Sequence, residues 1–277
     1  MKILVPVKRV ADPDNANKVK ITGDASAVTT DGLEWKPNPF DEYAVEAALR
    51  LNENAPKNEK LGETIVASLG PSDVQQTLRQ ALAMGADRGV LIEAQDGQLD
   101  TAVTARALAK LVEEEKPDLV LMGKQTVDGD SNAVGQTLAE MLGWPMATFA
   151  MSLSTADGGK TLTVGREVDT GVLTVKVTLP AVVTVDLRIV APTAIKNGAT
   201  PADHKYNEGA RYASLKGIMQ AKKKPIAVKK LAEIGIDTAL STKYTKFELP
   251  PARSGSVTFV ESVDELLQKL RSEKKAI

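Results

Sequence analysis

The chain of 277 residues has no cysteine and a single histidine, His204. Those absences exclude a disulfide framework, a thiol nucleophile, an iron–sulfur cluster and an unaided zinc site, while carboxylate-bound magnesium stays open. No GxxxxGK[ST], GxGxxG or GxSxG motif occurs, so the P-loop, the usual dinucleotide fingerprint and the nucleophile elbow are all missing. No stretch approaches the roughly 20 apolar residues that span a bilayer. The opening MKILVPVKRV is too short an apolar run for a signal peptide, and a cytoplasmic protein without membrane insertion is expected. A formal net charge of −1 and a pI near 6.0 give no general attraction to nucleic acid.

With 43% hydrophobic residues the chain can bury a full core. It is organised around Pro117 to Pro145. Leu119 to Met122 reads as a strand buried on both faces, followed by a polar loop, Gly123 to Ser131, and a helix. A helix start facing back across a strand end offers backbone N–H groups to an anion. Amides around Asn132 to Val134 would take a phosphate, and loop atoms around Gly123 to Val127 would meet a ribose and base. Ser131 or Asn132 reads equally well as an ordinary helix cap. Asp128 and Asp130 read as solvated turn residues before they read as an acid–base pair.

Strands and helices alternate through the first two-thirds of the chain. Ile3 to Val7 is the first strand, followed by the polar Lys8 and Arg9, which suit a phosphate, a partner or plain solvation. Asn38-Pro39-Phe40-Asp41 starts a helix, with Asn38 as its cap and Ala44, Ala47, Ala48 and Leu51 as a small apolar face. Thr64 to Leu69 is a strand, Ser72 with Gln75 makes a capping box for a helix to Met84, Gly89 to Glu93 is a strand, and Asp100 caps a further helix. A doubly wound, mostly parallel α/β sheet with right-handed crossovers is expected. Thr161 to Val168 and Gly171 to Thr178 form an antiparallel hairpin, and Ala181 to Asp186 a last buried strand.

From Ile189 the apolar pattern thins, which divides the chain into an α/β domain, 1–188, and a C-terminal extension, 189–277. Loops punctuate it at Ala191-Pro192, Asn197-Gly198 and Thr200-Pro201, and a short helix runs from Ser262 to about Ser272. A coreless tail of that length is expected to lie along another chain.

Several stretches together resemble the beta subunits of electron transfer flavoproteins. They are Val7-Lys8-Arg9-Val10, Asn38-Pro39-Phe40-Asp41, Ala81 to Gly89, Gly123-Lys124-Gln125, Leu179-Pro180-Ala181-Val182-Val183-Thr184, Arg211-Tyr212-Ala213, Ile218-Met219 and Ala221-Lys222-Lys223-Lys224. The resemblance covers nearly the whole chain. It implies a non-catalytic half of a heterodimer: the alpha subunit holds most of the FAD, and the beta subunit buries AMP. Electrons would pass from flavin dehydrogenases, such as acyl-CoA dehydrogenases, to a quinone oxidoreductase. It implies AMP contacts at Pro6, Asn38, Pro39, Phe40, Asp41, Leu69, Gly123, Lys124, Gln125, Thr126, Val127, Asp128, Gly129, Asp130, Ser131, Asn132, Ala133 and Val134. In a recognition loop of about 211–224 it makes Leu215 the anchor in a dehydrogenase pocket, with Lys222, Lys223 and Lys224 as local positive charge.

Two departures stand out. Pro13 occupies a position where many members of the family carry tyrosine beside the flavin. The run Asp128-Gly129-Asp130-Ser131-Asn132 differs from the commoner pattern, and its start is similar to the bifurcating branch, which implies a second FAD in place of AMP and reaction with NADH. A stand-alone adenine-nucleotide-binding or hydrolysing protein is the alternative outside the family. The segment Ala191 to Gly209 is longer than the usual connection.

Overall fold

Short apolar runs bounded by Gly, Pro and charge become the strands of one ten-stranded sheet. The computed structural model describes residues 1–251 and 257–277. In chain order the strands are β1 (Lys2–Pro6), β2 (Glu63–Gly70), β3 (Arg88–Glu93), β4 (Leu119–Gly123), β5 (Met146–Ala156), β6 (Thr161–Val168), β7 (Gly171–Thr178), β8 (Ala181–Val185), β9 (Ile195–Lys196) and β10 (Ile226–Lys230). Their spatial order is β7-β6-β5-β8-β4-β1-β2-β3-β10, with β9 beside β5. Among the described residues the pairings in this sheet are parallel except β6 with β7, the expected hairpin, and β5 with β6, through which that hairpin joins the sheet.

Alternate side chains of each central strand enter opposite layers. Ile3, Val5, Leu119 and Leu121 pack with α1 (Pro39–Leu51) and α2 (Gln75–Met84). Leu4, Val120 and Met122 pack with α3 (Thr101–Glu115) and α4 (Val134–Leu142). From β1 the chain winds outward to β2 and β3, then returns to β4 on the other side of β1. The sheet therefore reverses direction between β1 and β4, where the loops leaving adjacent carboxyl ends part and open a crevice.

Local signals held in part. Asp100 caps α3 by accepting from the amide of Val103, and Ser262 caps α6 (Val263–Lys269) by accepting from that of Glu265. The Ser72/Gln75 capping box does not form: Ser72–Val74 is a 3-10 turn and α2 begins at Gln75 without a side-chain cap. Asn38 does not cap α1 with its side chain, which is used elsewhere.

Contacts divide the chain into two units, 1–20 with 30–244 and 21–29 with 245–277. The division expected at 188/189 does not coincide with this. Ile189, Val190, Ala194 and Ile195 are buried, β9 and β10 join the sheet, and α5 (Leu215–Ala221) packs on α2. In the second unit, the amide of Phe247 donates to the carbonyl of Ala25 at 2.9 Å. Phe259, Val257 and Val263 there are largely exposed. No helix among the described residues is long and apolar enough to cross a membrane.

Candidate functional site

The crevice at the β1/β4 reversal is built around two buried side chains from the start of α1. Asp41 accepts from the backbone amide of Lys8, after β1, at 2.9 Å, and from that of Gly123, ending β4, at 3.1 Å. One carboxylate thus ties together the two diverging loops. Burial pushes the Asp41 carboxyl up to about 7, against the opposing pull of its donors. Asn38, fully buried, donates from Nδ2 to the carbonyl of Gln125 at 2.9 Å and accepts at Oδ1 from the amide of Val127 at 3.2 Å. Its amide thereby supplies a strand-like pair of bonds to a loop with no neighbouring strand.

A glycine is required at 123 because the α1 entrance lies against it. A Cβ there would fall 2.4 Å from Asp41 Oδ1 and 2.7 Å from Phe40 Cβ. Gly135 plays the corresponding part for α4, where a Cβ would come 2.9 Å from Thr184 Cγ2. Gly123 lets the end of β4 approach the main chain of Phe40, and Gly135 leaves room for the side chains of Thr184, Met122 and Met146 under α4.

The loop itself is cross-tied. Lys8 Nζ pairs with Asp128 at 2.7 Å, Thr126 Oγ1 donates to Asp128 at 2.6 Å, and Gln125 Nε2 donates to Asp130 at 2.8 Å. Asp130 and Asn132 both have positive φ, 49° and 47°, which these residue types tolerate. Gly129 and Ser131 are exposed. Lys124 leaves the loop and pairs with Asp186 at 2.7 Å, its ammonium 5.4 Å from the Phe40 ring centroid and 5.2 Å from that of Phe149. Burial alone would raise the Asp186 carboxyl, but the Lys124 ammonium holds it below the usual carboxylate range.

The helix after the loop starts at Val134, with Ala133 at the cap position and no side chain capping it. Neither Ser131 nor Asn132 serves as the cap. The first-turn amides of 134–136 therefore lack intrahelical partners. Gln136 donates to Asn132 Oδ1 at 2.9 Å, while its own Oε1 is buried without a partner among the described residues. An orphaned buried acceptor beside uncapped amides leaves bonding capacity that a polar ligand or a water can fill.

Pro6 ends β1 and Leu69 lies near the end of β2, so both stand on the same carboxyl edge as Pro39, Phe40 and the loop. The residues expected to dock a partner lie elsewhere. Leu215 opens α5 and is 83% exposed, near Tyr212, Ile218 and Met219, which are also exposed. Lys222 and Lys223 point to solvent, but the Lys224 ammonium donates to the carbonyls of Leu82 and Ala86 at the end of α2, at 2.9 and 2.5 Å. Its charge is engaged inside the chain. Sequence reasoning missed Asp186, just after β8, and Phe149, in β5, which carry no local motif.

A doubly wound sheet whose strand order reverses beside a loop-lined edge is a Rossmann-like α/β fold, and folds of this class bind ligands at that reversal. The comparisons narrow it. The family model for the electron transfer flavoprotein domain matches residues 26–234. The electron transfer flavoprotein subunit beta of Bradyrhizobium diazoefficiens is 45% identical over 273 residues, covering 99% of this chain and 98% of that protein. The subunit beta proteins of Mus musculus and Homo sapiens are 44% and 43% identical, each over 98% of this chain and 97% of theirs. The chain belongs to the electron transfer flavoprotein beta-subunit family.

Proposed function

We propose that this chain is the AMP-holding, donor-docking half of a heterodimeric electron carrier. Its alpha partner holds most of the FAD, which takes electrons from acyl-CoA and related flavin dehydrogenases and delivers them to a quinone oxidoreductase. The observation that carries the nucleotide reading is the crevice between β1 and β4. There the 123–134 loop is strapped by Asn38 and Asp41, and uncapped amides stand next to the orphaned Gln136 Oε1.

In this reading the amides of 134–136 hold the phosphate, and main-chain groups of 123–127 hold the ribose and base. Asn38 and Asp41 keep those groups in place instead of touching the nucleotide with their polar atoms. That division suits Pro6 and Leu69 as contacts, because they offer shape and apolar surface to a ring. FAD, when bound in the heterodimer, supplies the redox chemistry; this chain supplies no catalytic group. Tyr212, Leu215 and Met219 form the apolar docking surface, with Lys222 and Lys223 as flanking charge.

The Asp128-Gly129-Asp130 run favours a second reading, in which the crevice takes a second FAD and the carrier is of the bifurcating type. Denaturing the purified heterodimer and chromatographing the released nucleotides separates the two. One flavin and one AMP per heterodimer is the expected result; two flavins without AMP overturns it in favour of the second reading. ATP turnover by the isolated chain would point instead to a stand-alone nucleotide hydrolase.

A further inference from the structure

Residues 191–209 form a loop whose two ends are gripped by one side chain. The Arg50 guanidinium, 1% exposed, donates from Nη1 to the carbonyls of Val190 and Ala191 at 3.1 and 3.0 Å, and from Nη2 to those of Asn207 and Gly209 at 3.0 and 2.8 Å. Its Nε donates to Glu46 at 2.6 Å, so every N–H of the guanidinium is engaged. Midway round the loop, Asn197 Nδ2 donates to the carbonyls of Arg50, Leu51 and Glu53 at the end of α1. The loop is thus fastened to α1 at its ends and its middle.

The same network runs on into the docking surface. Glu46 Oε2 accepts from Arg211 Nε at 2.7 Å and from its backbone amide at 3.2 Å, and Glu53 takes both Arg211 Nη atoms at 3.0 and 2.7 Å. The next residue, Tyr212, is 99% exposed. At the far end of the segment α5 is pressed on α2. A Cβ on Gly217 would fall 2.5 Å from the carbonyl oxygen of Ala83, and Arg79 donates to the carbonyls of Ala221 and Lys224. Residues 212–220 are therefore held at both ends while Tyr212, Leu215 and Met219 stay uncovered.

We propose that Arg211, seated on Glu46 and Glu53, is a positioning residue for docking, and that the 191–209 loop closed by Arg50 is the base of that seat. The inference rests on the docking reading given above. A segment fixed before encounter gives up little conformational freedom when the partner closes on it, whereas a loosened one must be ordered at that moment. Freeing Arg211 therefore weakens association with the donor dehydrogenase and leaves the transfer step within the complex unaltered.

The test uses the intact heterodimer reduced by an acyl-CoA dehydrogenase, with Arg211→Ala, Arg211→Lys, Leu215→Ala and the Arg211→Ala/Leu215→Ala double variant. Flavin and nucleotide content and melting temperature are recorded for each. Arg211→Ala is expected to raise KM for the flavoprotein about tenfold with kcat little changed. Arg211→Lys, which keeps the charge but not the fork, should recover part of that loss. In the Leu215→Ala background the Arg211 substitution should add little, because it acts through the same surface. Full additivity, or a normal KM for Arg211→Ala beside a raised one for Leu215→Ala, overturns the inference alone. A normal KM for Leu215→Ala overturns the docking reading beneath it. Should Arg211→Ala fail to fold, Glu53→Gln, which weakens the seat on its exposed side, carries the same comparison.

Discussion

Two parts of the C-terminal third look alike in sequence and differ in structure. Residues 189–230 and 257–277 both lack the strand–helix alternation of the first two-thirds, at an apolar share close to the chain's overall 43%. The first is nevertheless built into the α/β unit by β9, β10 and the buried Ile189, Val190 and Ala221. The second keeps its larger apolar side chains outside, with Phe259 89% exposed. What separates them is not apolar content. Arg50 and Arg211 satisfy carbonyls and carboxylates that a coreless segment would otherwise leave to water. The distal segment has no such clamp among its described residues, and its apolar side chains stay open to solvent.

The sharpest way to break this contrast is at Arg50. Replacing it with Met removes five donors from a closed site and leaves Glu46 buried beside only Arg211. Removing one partner of a buried pair costs about 3–5 kcal/mol. Urea unfolding of Arg50→Met should show a loss of that order, with new protease cleavage between 191 and 209. An unchanged midpoint would mean that apolar contacts alone hold the segment.

Protease sensitivity of the two segments sharpens the contrast without mutation. In the isolated chain the region from 245 onward should be cut well before 189–230, and it should become resistant when the alpha subunit is present. Equal resistance of the distal region with and without that subunit would remove the reason to see it as a partner-covering arm.

The division was only partly readable in advance. Strand runs, the hairpin around Asp169-Thr170-Gly171 and the Asp100 cap follow from local chemistry, and they came out as expected. The clamp did not. Glu46 and Arg50 lie on the side of α1 away from Ala44, Ala48 and Leu51, where a helical pattern assigns charge to solvent. They are buried because a segment 140 residues further on covers that side. Asn38 misled for a related reason: its type and place predict a cap, yet the 125–127 loop offers it two bonds that helix α1 does not need. The crevice was legible from the strand–loop–helix order of 117–145. Its fastening by Asp41 was not, because Lys8 and Gly123 meet only once the sheet has formed.

The two buried acids of α1 should respond to pH in opposite senses. Asp41 is raised to about 7 by burial. Its folded form therefore holds a proton that the unfolded chain has already released, and this term favours folding at low pH and fades as pH rises from about 4 to 7. For Glu46, burial would raise the carboxyl, but Arg211 and Arg50 bring it below its ordinary value. Its contribution is present above the unfolded value and is lost as pH falls through the folded one. Asp41→Asn should abolish the first trend and cost about 1–3 kcal/mol at pH 5, because one of the two amides then faces an NH2 group. Stability measured at pH 5 and pH 7 for both proteins checks it; parallel wild-type and variant curves would show that Asp41 stays ionised throughout.

At the docking surface the expected effects move from stability to affinity. Leu215→Ala removes an exposed side chain, so unfolding, AMP content and flavin content should hardly change. Burying that leucine in a partner is worth about 1.5–3 kcal/mol, hence a roughly ten- to hundredfold weaker interaction with the dehydrogenase. Wild-type transfer rates across several dehydrogenases, or loss of cofactor, would count against an anchor.

The smallest effects should come from the three lysines, and they should divide unequally. Lys222 and Lys223 are exposed, so neutralising either should slow association by a factor of a few at low ionic strength. That difference should fade in high salt, because exposed charges are screened beyond about 10 Å at 0.1 M. Lys224 is a different case: its ammonium takes the carbonyls of Leu82 and Ala86 where α2 ends, and burial lowers its pKa. A cation at a helix carboxyl end is worth about 0.3–1 kcal/mol, and the two carbonyls would be left without their donor. Lys224→Ala should therefore lower the melting temperature while leaving the salt dependence of docking nearly as in the wild type. Stopped-flow association at several salt concentrations, set beside thermal melts of the three single variants, distinguishes these roles. Equal salt slopes for all three would place Lys224 with its neighbours as a surface charge.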